Sequence, residues 1–276
     1  MNGRAKMRPV GVLGGMGPEA TILLMSRVVA FTPARDDSDH VPMLVDNNTQ
    51  VPSRIKALIE RTGEDPGPVL VAMARRLAAA GVEALAMPCN TAHHYAPLLK
   101  AAVSIPLLDM VELTVDRVAR MGRGSNTRQA RRIGMLASPA VRITGLFDRA
   151  FAARGLEPVY PPHQDLVLSC IKMIKATGRS DAANEKLRAA AAELRAEGVD
   201  MLMIACSELS LINDCLSREF PFIDTIDVLA EAVIAFSRDG ATEAVAMGSE
   251  QAAPTTGYGR SDASTEEGRS RLREEL

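Results

Sequence analysis

The sequence predicts an α/β fold of two similar domains, each a parallel sheet flanked by helices, related by pseudo-twofold symmetry with a site between them. Three observations carry that expectation. Short β-rich runs alternate with longer helical stretches, the signature of βαβ units. The chain resembles itself, since GVEALAMPCNT (81–91) recurs as GVDMLMIACSE (198–208). The flanks of that repeat also correspond: IPLLD (105–109) echoes FPFID (220–224), and VGVLGG (10–15) echoes RIGMLAS (132–138).

Taken in order, PVGVLGG (9–15) reads as a buried strand, followed by a helix from Pro18. VPMLVDNN (41–48) is the second strand, helices follow around Ser53 and Val69, and EALAMPCN (83–90) is the third strand. Each copy of the repeat then ends in a proline-containing strand that leads to a helix, marking places where the chain changes domain. The simplest reading makes 1–111 plus 222–238 the first domain and 112–221 the second, with a helix over 226–236 packing back on the first. Two sequential domains without a return is the alternative. GRGSNTRQARR (122–132) is a polar surface loop, and Gly, Ser, Thr, Glu and Arg dominate after Gly240, so 239–276 is expected to be a disordered tail.

Composition narrows the function. The 276 residues carry a net charge of -2, which gives no reason to expect nucleic acid as a partner. No apolar run reaches the roughly 18 to 20 residues of a membrane span, and the first nine residues lack the apolar stretch of a signal peptide. A cytoplasmic protein with a small-molecule ligand, no membrane and no nucleic-acid partner is the expectation. Aromatic residues are 3% of the chain and Trp is absent, which disfavours base stacking. Cys89, Cys170, Cys206 and Cys215 show no CxxC spacing, so neither a disulfide framework nor a metal site is expected.

Cys89 and Cys206 occupy equivalent places in the repeat, where a strand ends and a helix is expected to begin. Ligands of open α/β sheets bind beyond the carboxyl ends of strands, so both thiols should face one crevice. A helix N-terminus lowers a thiol pKa, which would make one of the pair a thiolate near neutral pH. Two-sided proton transfer at a carbon needs such a pair, one base and one acid on opposite faces. Free cysteine is otherwise a small buried hydrophobe, and that is the reading for Cys170 and Cys215.

GGMGPEAT (14–21) follows a strand and opens a helix, so its N–H groups suit an anion, although it matches neither GxGxxG nor the P-loop pattern. Arg54 lies just past the second strand, where a guanidinium can take a carboxylate bidentately or remain a solvated surface group. His93 and His94 follow Cys89 closely, with packing the commoner role for such residues.

GVLGGMGPEAT, NNTQVPSR, MPCNTAHHY and ACSEL together resemble the aspartate/glutamate racemase family, most closely its aspartate-racemase branch, over 10–236. The resemblance implies an isomerase that needs no pyridoxal phosphate or other cofactor, a homodimer of two-domain subunits, and Cys89 and Cys206 as catalytic residues. It also implies an acidic amino acid as substrate, contacted by Met16, Gly17, Arg54, Asn90, Thr91, Ser138, Lys175, Ser207 and Glu208. The chain departs from the family at LASPAVRITGLF (136–147), where Val141 replaces an expected hydroxyl, a difference that bears on substrate rather than on reaction type. Two other readings are a cis-trans isomerase of an unsaturated dicarboxylate and a non-catalytic binding protein.

Overall fold

Residues 7–121, 131–216 and 220–239 are described by the computed structural model. The tail after Asp239, and all of the expected loop at 122–132 except its last two residues, lie outside them.

β1 (Val10–Gly14) is buried at every position, as expected of a central parallel strand covered on both faces. It pairs in parallel with β2 (Met43–Asn47) and β3 (Ala84–Ala86), and β3 pairs with β4 (Leu107–Leu108). The second sheet repeats this plan, with β5 (Arg132–Ala137) between β6 (Glu157–Val159) and β7 (Met201–Ala205), and β8 (Phe222–Asp224) beside β7. In both sheets the first strand lies between the second and third and the fourth is at an edge.

The duplication extends to the packing beneath the strands. A Cβ on Gly11 of β1 would meet Val82, Leu77 and Leu85, the nearest at 2.9 Å. A Cβ on Gly134 of β5 would meet Leu202, Val199 and Leu194, again at 2.9 Å for the nearest. Leu77, Val82 and Leu85 align with Leu194, Val199 and Leu202 in the two copies. In each copy the helix before the third strand is pressed onto a glycine of the first strand, an approach that any side chain there would obstruct.

Helices cover both faces of each sheet. α1 (Pro18–Phe31) and α10 (Thr225–Asp239) lie on one face of the first sheet, and α2 (Gly67–Ala79) with α3 (Ala96–Ala102) on the other. α4 (Met110–Arg120) begins at the crossing between sheets: Met110 packs with Val10 and Val12, whereas Val111, Val115 and Val118 pack with Ile133 and Met203. α5 (Pro139–Ile143) and α6 (Asp148–Ala152) continue that side, and α7 (Gln164–Thr177) with α8 (Asp181–Ala196) cover the opposite face. Ile226, Leu229 and Val233 of α10 return to Val10, Val12 and Ala86, each contributing roughly 1.5–3 kcal/mol of apolar burial.

Two expectations need correction. The segment after Ser53 is not an ordinary α-helix but one wide π-helical turn, Lys56–Glu60, ended by Arg61 at φ 54°. Thr91–Tyr95, after the first cysteine, is a 3-10 helix, so an α-helix begins only at Ala96.

Candidate active site

The loops at the carboxyl ends of β1, β2, β3, β5 and β7 converge on a cavity of about 190 Å3. Met16, Arg54, Cys89 and Thr91 line it from the first sheet, and Ser138, Cys206 and Glu208 from the second, with Lys175 reaching in from α7. Cys89 and Cys206 are 7% and 6% exposed, so the two thiols are almost equally accessible.

The first loop is shaped by glycine. Gly15 has φ 88°, and a Cβ there would fall 2.3 Å from the Asn48 carbonyl. Its N–H donates to Thr21 Oγ1 at 2.9 Å, and Thr21 Oγ1 donates to the Gly17 carbonyl at 3.2 Å. The Gly15 N–H is therefore spent inside the loop instead of facing an anion. Gly17 lines an adjoining cavity of about 430 Å3, which shares Arg54, Lys175 and Glu208 with the first.

Arg54 is fixed by backbone carbonyls. Nη1 donates to Val51 and Pro52 at 3.2 and 2.8 Å, and Nη2 donates to Met16 at 3.3 Å, tying the β2 loop to the β1 loop. Its Nε is buried and has no hydrogen-bond acceptor, a donor poorly satisfied without a ligand.

Asn90 and Ser207 are each 2% exposed and do not line the cavity. Asn90 acts on the frame: its Nδ2 donates to Thr225 Oγ1 at 2.9 Å, and that hydroxyl donates to the Ile204 carbonyl of β7 at 3.0 Å. The two cysteine loops are thus joined through Thr225. A second link crosses the cavity wall, where the hydroxyls of Thr91 and Ser138 are 3.1 Å apart.

His93 is a packing residue. Its Nδ1 lies 2.9 Å from the Cys89 carbonyl, and its Nε2 accepts from the Met110 N–H at 3.2 Å. These bonds require the neutral Nδ1–H tautomer, and burial lowers the His93 pKa in the same sense.

The second cysteine departs from expectation. Cys206 caps α9 (Ser207–Ser210), a helix too short to supply much dipole field. Its Sγ–H donates to Glu208 Oε2 at 3.1 Å. Burial, followed by the Glu208 carboxylate, pushes the Cys206 thiol well above its ordinary value, and Lys175 offsets this only in part. Lys175 forms an ion pair with Glu208 Oε1. Burial alone would lower its pKa, but Glu208 outweighs burial and keeps the ammonium protonated.

Val141 is fully buried in the core of the second sheet, so the substituted position faces away from the cavity. Val51, Ser53, Ile55 and Ile171 also line the cavity and were not singled out by the sequence. Ile171 stands one turn before Lys175 on α7, and that spacing was its available signal. Among the described residues no group of His, Cys, Asp and Glu is arranged to hold a metal ion, and no helix is long and apolar enough to cross a membrane.

Two parallel α/β domains whose duplicated cysteine loops share one cavity define a class of protein. Within it, the chain belongs to the Asp/Glu/hydantoin racemase family, whose profile matches residues 13–233. It is similar to the broad specificity amino-acid racemase RacX of Bacillus subtilis (24% identity over 82% of this chain and 96% of RacX). Among solved structures it resembles the Picrophilus torridus aspartate racemase, with 28% identity, a TM-score of 0.74, and coverage of 83% of this chain and 94% of that one. The fold is shared with the Francisella tularensis glutamate racemase solved with D-glutamate, at 16% identity, TM-score 0.61 and coverage of 83% and 80%.

Proposed function

We propose that this protein racemises an acidic amino acid without pyridoxal phosphate, with Cys89 and Cys206 as the acid/base pair acting on opposite faces of Cα. One observation carries the reading: two thiols from equivalent loops of the two domains line the same cavity at nearly equal exposure. In each direction one sulfur removes the Cα proton as thiolate while the other returns a proton to the opposite face. Arg54 and Lys175 suit the carboxylates of the substrate, and the unpartnered Arg54 Nε offers a donor for one of them. Met16, Thr91 and Ser138 complete the wall, and Gly17 opens the approach.

The reading extends to a cytoplasmic homodimer with residues 1–111 plus 222–238 as one domain and 112–221 as the other. The opposite packing of Met110 and Val111 supports the first crossing, and the return of α10 to the first sheet supports the second, which β8, paired with β7 in the second sheet, moves from 222 to the junction after Asp224.

Deuterium exchange at Cα in D2O, followed from each enantiomer across a panel of amino acids, tests the reaction and the substrate together. Aspartate or glutamate is expected to exchange fastest. Cys89→Ser and Cys206→Ser should each reduce racemisation by about 10²–10⁴-fold, the usual weight of a positioned acid or base. A serine variant that racemises at the wild-type rate would overturn the mechanism.

A further inference from the structure

The residue two places beyond each cysteine differs between the copies: Thr91 in the first, Glu208 in the second. The Thr91 hydroxyl shares a hydrogen bond with that of Ser138, and among the described residues no carboxylate hydrogen-bonds the Cys89 thiol. Glu208 is 8% exposed and bridges two groups, accepting from Cys206 Sγ at 3.1 Å through Oε2 and pairing with Lys175 through Oε1. A glutamate early in a helix can simply favour the helix dipole, but α9 has four residues and little dipole to complement. The carboxylate instead spends one oxygen on the thiol and the other on the cation.

We propose that Glu208 is a positioning residue that holds the proton on Cys206 in the substrate-free enzyme, so that Cys89 is the resting base and one enantiomer meets the enzyme already prepared to deprotonate it. This rests on the two-cysteine reading of the site. A thiol that donates to a fixed carboxylate loses that hydrogen bond on ionising and gains a like charge at contact distance. Lys175 opposes the effect, but its charge is already shared with Glu208. The charged and titratable groups facing Cys206 are Glu208 beside it, Lys175 from α7, and Cys89 and Arg54 across the cavity. Starting from the other enantiomer, the enzyme must first move a proton from Cys206 to Cys89, and that step returns Glu208 to the company of a thiolate.

Alkylation of the substrate-free protein by iodoacetamide, with each cysteine quantified by mass spectrometry, tests the proposal without requiring turnover. In the wild type at pH 7.5, Cys89 should label at least tenfold faster than Cys206, and the labelling midpoint of Cys206 should lie at higher pH. Each unit of separation corresponds to about a tenfold difference in thiolate population at a fixed pH below both midpoints. Glu208→Gln keeps the shape and removes the charge, so Cys206 labelling should rise at least tenfold and its midpoint should fall. Equal labelling in the wild type, a reversed order of midpoints, or an unchanged ratio in folded Glu208→Gln would overturn the proposal. Glu208→Ala, read by the same labelling, carries the test if Glu208→Gln does not fold, and an equal or reversed wild-type order overturns the proposal without any variant. Loss of racemisation in both serine variants together with a reversed labelling order would sink this inference and leave the racemase reading intact. Wild-type racemisation in a serine variant would sink the reading itself, whatever the labelling order.

Discussion

Asp109 follows β4 and Asp224 closes β8, and each caps the helix that comes next, Asp109 by accepting the Val111 N–H and Asp224 that of Ile226. The two occupy the same place in the duplicated unit, yet their acidities move apart. Burial would raise the pKa of Asp109, but the Lys100 ammonium, which donates to its carboxylate at 2.8 Å, helps bring it below its ordinary value. Burial also raises the pKa of Asp224, and there the donors Ser210, Ile226 and Asn213, with Arg27 more distant, do not cancel it. Duplication preserved the backbone, which the sheet order and helix caps require, and left the charge around each copy free to diverge. The cysteine loops differ in the same manner, with a hydroxyl beyond one thiol and a carboxylate beyond the other.

The largest expected effect tests the first copy. His93→Ala removes the contacts joining the Cys89 carbonyl to the start of α4 and leaves buried backbone groups unpaired, at a cost of about 3 kcal/mol. Urea unfolding measures this, and a loss below 0.5 kcal/mol would mean that His93 does not hold the loop. Lys175→Ala tests the second copy by stranding Glu208 with no cation. The expected loss is about 1–2 kcal/mol, less than for a fully buried pair because Lys175 is 39% exposed. If thermal unfolding shows no loss, Glu208 is not held as an ion there.

A pH series sharpens the contrast between the aspartates. Burial, then the Asp224 charge, raises Asp227 to about 7 against its ion pair with Arg27 at 3.0 Å. A carboxyl whose folded pKa lies above its unfolded value stabilises the fold at low pH, and that contribution is lost as pH rises from about 4 to 7. Over that window the wild-type melting temperature should fall relative to Asp227→Asn and then run parallel to it at higher pH; curves parallel throughout would contradict the raised value. The smallest effect is that of Lys100→Ala, about 0.2–1 kcal/mol for a half-exposed pair, appearing above the ordinary aspartate pKa and vanishing in acid as Asp109 protonates. An equal loss at pH 2 and pH 7 would show that Lys100 acts through packing.

The sequence made the two-sheet plan readable because its repeat carries the same glycines, apolar strands and cysteines in the same order. It was silent about Val51, Ser53 and Ile55, which reach the cavity from the loop leading into the π-turn, a stretch without periodic pattern. It foresaw one thiolate in the cysteine pair without distinguishing the two: the carboxylate that sets Cys206 apart lies two residues along, on a helix of only four residues. Lys175 was found through family resemblance because nothing local marks one lysine of α7 above another, and its significance lies in a partner 33 positions away.

The first and last described segments clasp one another. The Arg8 N–H donates to the Ser237 carbonyl at 3.0 Å, the Ser237 hydroxyl donates to the Arg8 carbonyl at 2.8 Å, and the Arg8 guanidinium lies 3.6 Å from the centre of the Phe236 ring. On the ribosome this clasp sets an order of assembly. α1 follows β1 directly, but α10, which shares with it the cover over Val10 and Val12, is translated after every strand of the other sheet. The first sheet is therefore made before the second and completed after it, and the part of its apolar face that awaits α10 stays open through that interval, a stage at which a nascent chain is exposed to aggregation.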